Sequence, residues 1–304
     1  MHGRNARKGV VAGVAAAALA AGLAGPAQAQ TPSSTVSSTA ASSMIYTGTD
    51  KGNVVEIRIV NGEQYRVDDN GPITPGAGCA SVAGDPTQAI CTAFRDANGL
   101  LKAISLFGRG GNDELRNFTG TSMTAHGEDG SDDLAGGSGP DKLLGGPGDR
   151  DDLRGNSGAD FLDGGPGAHD GVSYSGRSSD TYVTLDGVAD DGHRDEGDNA
   201  TATTEDVAGG NASNLLVGNA ADNVLVAGPG DDILAGNKGA DILIGNDGSD
   251  VLTSNDVLFL GGTFDDGAVD KLAGDGLLGG NNSGDVDTCV ISTLDGDQKK
   301  DCEQ

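Results

Sequence analysis

The sequence predicts an all-β chain whose body winds as a parallel β-roll in two repeat arrays behind a small N-terminal β region. Three observations lead there. Glycine supplies 53 of the 304 residues, aromatics only 3% with no Trp, and a nine-residue spacing of glycine, aspartate and aliphatic side chains recurs through the middle of the chain. Large aromatic side chains bury about 150–250 Å² each, so their scarcity excludes a conventional bulky core. The interior must be thin and aliphatic, and a fixed nonapeptide period points to stacked coils.

At the N-terminus Arg4, Arg7 and Lys8 precede an apolar run from Val10 to Leu23 and the small-residue site Ala27-Gln28-Ala29. That order reads as a secretory signal peptide over residues 1–29, which places the protein outside the cell. Loss of those three positive charges takes the formal net charge from -27 to -30. So acidic a chain repels phosphate backbones and anionic lipid surfaces, which argues against nucleic-acid partners and membrane insertion, and it attracts cations. Beyond the leader no run is apolar enough to span a bilayer.

Residues 30–43 form a Ser/Thr/Ala tract with little to bury, expected as a flexible tail. In the N-terminal β region, 44–107, Val54 to Val60 has the β-branched content of a strand, Asn61-Gly62 signals a hairpin into Gln64 to Val67, and Leu100 to Phe107 forms a further strand. Four cysteines fall as two close pairs. In an exported chain they imply disulfides, and of three connectivities the local ones, Cys79–Cys91 and Cys289–Cys302, are simplest. Each would contribute about 3 kcal/mol by restricting the unfolded chain. No CxxC supports zinc.

The first array, 108–172, opens with Gly108, Gly110 and Gly111 before Asp113 and Leu115. The same frame recurs from Gly127 (Asp132, Leu134), Gly136 (Asp141, Leu143), Gly145 (Asp151, Leu153), Gly155 (Asp160, Leu162) and Gly164 (Asp170, Val172), with a degenerate unit at 117–125. The pattern lapses over 173–208, a non-repeat insert with a strand at Thr181 to Leu185 and an acidic loop from Asp190 to Asn199. It resumes over 209–253 with Asn214, Asn223, Asp232, Asp241 and Asp250 at the sixth place, each two residues before Leu. Residues 254–304 hold degenerate repeats, one around Asp270 and Leu272, and the disulfide-closed C-terminus.

This frame resembles the RTX, or haemolysin-type, calcium-binding repeat of secreted bacterial proteins. Its chemistry also follows from the letters. Glycines at the first, second and fourth places permit positive φ and close backbone approach, so six residues turn tightly with carbonyl oxygens inward. The aspartate adds a hard anionic oxygen, and the last three residues form a strand with the aliphatic inward. Two units make one coil, so turns on one side come from repeats two apart. Ca²⁺ takes six to eight oxygens, which paired aspartates and turn carbonyls supply.

The candidate ligands are Asp113, Asp132, Asp141, Asp151, Asp160, Asp170, Asp232, Asp241 and Asp250. The expected partners are Asp132 with Asp151, Asp141 with Asp160, Asp151 with Asp170, and Asp232 with Asp250. One extra residue before the aspartate (Asp149-Arg150, Ala168-His169) should bulge two turns, and Asn214 and Asn223 lower the charge of two others, leaving the first array the stronger binder.

The resemblance implies arrays that fold when calcium binds. Many such proteins carry a C-terminal secretion signal and an attached protease, lipase or toxin domain, whereas this chain has an N-terminal leader and only the short β region. His126, His169 and His193 lie in polar loops, and HExxH, GxSxG, P-loop and Rossmann patterns are absent. The expectation is therefore a non-enzymatic structural or adhesive protein with an extracellular or cell-surface partner. A hydrolase or carbohydrate-binding protein using the repeats as scaffold is the alternative.

Overall fold

The three-residue strands of the repeats alternate inward and outward, and what they turn inward is aliphatic. Leu134, Leu143, Leu153 and Leu162 are buried while their strand neighbours are half-exposed or exposed. The structure, a computed structural model, describes residues 33–40, 43–253 and the backbone of three short strands, Lys271–Ala273, Thr288–Val290 and Gln298–Lys300. The leader, Cys302 and hence the Cys289–Cys302 pair lie outside the described residues. No helix occurs among those described, and so none long and apolar enough to cross a membrane.

Consecutive repeat strands fall in different sheets, so pairing is parallel between units two apart. In the long sheet Leu115, Leu134, Leu153, Val172, Val207, Leu225, Leu243 and Leu272 stand in register one above the next. Across the core the facing sheet stacks Leu106, Ala125, Leu143, Leu162 and Ala200. A third sheet, the second wall of the second array, stacks Val183, Leu216, Leu234 and Leu252. The all-β parallel roll read from the repeat is thus the observed fold.

Three boundaries differ from the expectation. Ser34–Ser38, placed in the flexible tail, is a strand, antiparallel to Met44–Thr47 and parallel to Ile73–Pro75. Its serines alternate inward around Val36 and are hydrogen-bonded: the Tyr46 hydroxyl donates to Ser34 Oγ at 2.8 Å, and Ser38 Oγ donates to the Thr92 carbonyl at 2.7 Å. Side chains too small to signal burial by composition are buried by satisfied hydroxyls.

Second, the N-terminal β region is not separate from the roll. Met44–Thr47 and Val54–Val60 pair in parallel with Ile104–Gly110 and Glu114–Asn117 as its first coil. Strands Gln64–Asp68, Asp85–Thr92 and Cys79–Val82 add antiparallel to that end, stapled by the Cys79–Cys91 disulfide. Asn61 and Gly62 turn the hairpin in left-handed conformations, as their sequence signals (φ 55° and 72°). The strand expected from Leu100 begins at Ile104.

Third, the insert interrupts only one wall. The long sheet runs through it from Gly171–Ser173 to Asp206–Ala208 to Val224–Val226. The facing sheet instead ends at Asn199–Ala200, and the third sheet begins with Gly192–His193 antiparallel to Thr181–Thr184, with an Asp191–Asp198 bridge between the two sheets.

Because each inward leucine supports only its two neighbours in the stack, Leu153→Ala should destabilise the calcium-loaded protein by about 2–5 kcal/mol. Urea denaturation followed by circular dichroism measures this; a loss under 1 kcal/mol, roughly a single surface substitution, would mean the stack is not the core.

Candidate metal sites

Each turn takes its shape from the glycine pattern, with a division of labour. The left-handed residues fall at the second or fourth place, as at Gly146 (φ 115°) and Gly158 (φ 138°), with non-glycine residues there including Glu128 (φ 72°) and Asn156 (φ 67°), while Gly137 and Gly139 of the Gly136 turn are not left-handed. The first place is not left-handed; where it is glycine, the aspartate carboxylate lies against it, and the Asp232 unit has Ala227 there instead. A Cβ at Gly127 would lie 2.1 Å from Asp132 Oδ2 and 2.6 Å from the Gly145 carbonyl oxygen. At Gly145 the same atom would meet Asp151 Oδ2 at 2.2 Å and the Gly164 carbonyl oxygen at 2.4 Å. Carboxylate and carbonyl oxygens therefore crowd one cradle at each turn.

The aspartates form ladders. Oδ1 of each accepts the backbone N–H of the residue at the same place two units earlier: Asp113 N–H to Asp132 at 2.7 Å, Asp132 to Asp151 at 2.8 Å, Asp151 to Asp170 at 3.0 Å. On the other side Met123 N–H donates to Asp141 at 2.6 Å and Asp141 N–H to Asp160 at 2.7 Å. In the second array Asn214 N–H donates to Asp232 at 2.6 Å, Asp232 N–H to Asp250 at 2.9 Å, and Asn223 N–H to Asp241 at 2.9 Å. All four expected aspartate pairs are in direct contact.

The other oxygen is the chemically open one. Oδ2 of Asp113, Asp132, Asp151, Asp160, Asp170 and Asp232 is buried with no hydrogen-bond partner, although these residues are at most 2% exposed. Asp141 Oδ2 accepts the Gly137 N–H at 2.6 Å. Buried carboxylate oxygens without partners are costly in a folded chain and mark a place for a cation. Among the described residues no three acidic, His or Cys side chains converge into a cage. The donor set on offer is thus one or two carboxylates with turn carbonyls, hard oxygens suited to Ca²⁺ and ill-suited to zinc.

The two extended turns bulge as expected, and they do so together. Arg150 and His169, the extra residues, are left-handed (φ 67° and 62°), and Arg150 N–H donates to the Ala168 carbonyl at 3.0 Å. Asn214 and Asn223 fill their turns with their own donors. Asn214 Nδ2 reaches the Ala212 carbonyl at 2.7 Å and Asp232 Oδ1 at 2.9 Å, and Asn223 Nδ2 reaches the Glu205 carbonyl at 2.8 Å.

Three ladder members escaped the sequence reading. Asn53 donates to Asp113 Oδ1 from its backbone at 2.6 Å and from Nδ2 at 2.7 Å, heading the ladder. Asp198 accepts Asp160 N–H at 2.9 Å, and Glu205 accepts Asp170 N–H at 3.0 Å, both from the insert. Their signal was present: each stands two residues before an inward Val55, Ala200 or Val207, and Asn53 also has Gly48 at the first place, where a Cβ would lie 2.6 Å from Asn53 Nδ2 and from the Gly108 carbonyl oxygen, whereas Asp198 and Glu205 lack a glycine five residues before them. His126 stacks on Phe107, its cross-strand neighbour in the same sheet, with ring centroids 4.7 Å apart, and accepts or donates in none of the carboxylate ladder bonds.

Fold and ladders define a parallel roll with a carboxylate at each turn. Comparison with protein families places the RTX calcium-binding nonapeptide repeat (four copies) at residues 126–149, 148–168, 208–243, 226–257 and 236–266. The chain thus carries haemolysin-type calcium-binding repeats in both arrays. No curated protein matches it.

Burial raises the ladder carboxylates, Asp132, Asp141 and Asp151 to about 7 and Asp113, Asp160 and Asp232 to about 6. The folded turns therefore favour the neutral acid. With calcium chelated, their contribution to stability is fully present below the unfolded-chain value of about 4 and is lost as pH rises through 6 to 7. Far-ultraviolet circular dichroism in chelator should show the roll ordered near about pH 4.5 and lost by about pH 8; order independent of pH would contradict these shifts.

Proposed function

We propose that this chain is a secreted calcium-binding β-roll protein with a structural or adhesive rather than catalytic role outside the cell, whose folding is coupled to Ca²⁺. Asp113, Asp132, Asp141, Asp151, Asp160 and Asp170 would hold the metal in the first array, and Asp232, Asp241 and Asp250 in the second, each with turn carbonyls. Calcium there supplies the positive charge that lets stacked carboxylates share a dry turn. The observation that carries this reading is the row of buried carboxylate oxygens without partners along the first array.

Further support comes from the leader, the Cys79–Cys91 disulfide, and an N-terminal region that builds the end of the roll instead of a separate catalytic body. The filled turns of Asn214 and Asn223 favour weak or empty sites beside them, so the first array is the stronger binder. Extracellular calcium modules work at about 10⁻⁴–10⁻³ M, which lets the chain leave the cell before it folds.

Calcium titration of the full chain, followed by circular dichroism and calorimetry, tests this. A cooperative gain of β signal with several ions bound is expected. Asp151→Asn should raise the calcium midpoint several-fold, on the order of 1 kcal/mol, while Asp195→Asn, an equal charge change on the exposed loop, should not. Absence of both spectral change and binding heat would sink the proposal.

A further inference from the structure

On the interrupted wall the carboxylate ladder ends at a buried ion pair. Asp198 accepts the Asp160 N–H at 2.9 Å, and beyond this rung the facing sheet stops. Arg177 touches both this rung and the first turn of the second array. Its carbonyl accepts the Asn211 N–H of the Asn214 turn at 2.7 Å, and its guanidinium pairs with Glu196. The Arg177 and Glu196 side chains are 18% and 11% exposed, whereas in every other ion pair among the described residues both partners are at least 23% exposed. The guanidinium also stands 4.9 Å from the centroid of the buried Tyr174 ring.

Glu196 takes the part of a backbone oxygen. At the turns of Asp132, Asp151 and Asp232 the N–H of the fourth-place glycine donates to the third-place carbonyl two units on: Gly130 to Pro147 at 3.3 Å, Gly148 to Pro166 at 3.2 Å and Gly230 to Asp247 at 2.8 Å. At the Asp160 turn the Gly158 N–H donates to Glu196 Oε1 instead, at 3.2 Å. The other oxygen, Oε2, accepts the His193 N–H at 3.1 Å and meets Arg177. A Cβ on Gly192 would lie 2.6 Å from Asp198 Oδ2 and 3.0 Å from Glu196 Oε2, so the two carboxylates border one space. A carboxylate has been added to this rung, and a cation of the chain's own is bonded to it.

The charge of Arg177 reaches the ladder itself. Burial raises Asp160 to about 6 and Asp198 to about 7, Glu196 pushes both further up, and Arg177 pulls both down. Asp198 Oδ2, buried and without a hydrogen bond, is the oxygen a metal would claim if the arginine were gone.

We propose that Arg177 is a tethered cation that takes calcium's place between the Asp160–Asp198 rung and the second array, so that this rung holds no metal. The inference rests on the calcium reading of the other ladders. A guanidinium offers carboxylates both charge and a fork of donors, and one held by the chain is present before any calcium arrives. Asp160 keeps its own rung with Asp141 for the metal. Removing the arginine would leave Glu196 buried and unpaired beside Asp198, and a cation would then gain what the guanidinium now supplies.

Equilibrium dialysis of the full chain against calcium counts the ions. Terbium in calcium's place reports on this rung, because Tyr174 beside Arg177 can pass it ultraviolet excitation. Arg177→Met, which removes the charge and keeps much of the bulk, should bind about one ion more than the wild type and gain tyrosine-sensitised terbium emission. Arg177→Lys, which keeps the charge, should do neither. Asp198→Asn should leave the wild-type count unchanged and, added to Arg177→Met, should abolish the gained ion. An unchanged count in folded Arg177→Met, a gain in Arg177→Lys, or an ion lost in Asp198→Asn would overturn the proposal. So would an Arg177→Met chain that folds at no calcium concentration, since calcium would then be no substitute for the guanidinium. A wild-type chain that binds no calcium would instead sink the calcium reading, and this inference with it.

Discussion

The hydrogen bond on which the roll depends joins a carboxylate to the peptide N–H at the same place two units earlier. It occupies Oδ1 and leaves Oδ2 against a glycine and a carbonyl oxygen of the next turn. Stacking is thereby specified residue by residue, since a slip by one place would aim a carboxylate at the wrong amide. The same contact makes the stack conditional. It brings buried anionic oxygens toward carbonyl dipoles, an arrangement that gains from protons or cations and suffers without them.

The aliphatic core is the complementary half of that design. Single leucines, valines and alanines, stacked in register, bury little area per coil, and among the described residues no aromatic cluster ties distant parts of the arrays together. Stability in such a quasi-one-dimensional array is close to a sum over neighbouring coils. The N-terminal end departs from this economy: Tyr46 and Tyr65 are buried there, with hydroxyls bonded to Ser34 and Asp69 and to Thr121, and a disulfide closes the adjoining strands. That end has the conventional core and crosslink which the repeats lack.

Much of this was legible because each repeat letter has a single physical duty. Period two across Asp132, Asp133 and Leu134 sets the inward face, and the spacing of units sets which aspartates meet, so the four aspartate contacts were readable before any coordinates. What escaped is where the duty was met by another residue. Asp198 and Glu205 hold ladder places without the first-place glycine, reaching the stack from the insert, and Asn53 keeps Gly48 at that place but puts an amide where the frame has a carboxylate. Ser34–Ser38 escaped since hydroxyls satisfied inside a cap look, in composition, the same as hydroxyls satisfied by water.

The uneven passage through the insert has a mechanical side. From Gly171–Ser173 through Asp206–Ala208 to Val224–Val226 one wall crosses without a break, while the wall opposite stops at Ala200 and restarts at Thr181. On that side the two halves of the wall are joined by the Asp191–Asp198 peptide pair and by the Asp191 carboxylate, which accepts from Thr184 N–H at 2.6 Å and from Ala200 N–H at 2.8 Å. A pull along the roll's axis is therefore borne in the insert by a continuous ladder on one wall and by a single buried carboxylate and its loop on the other.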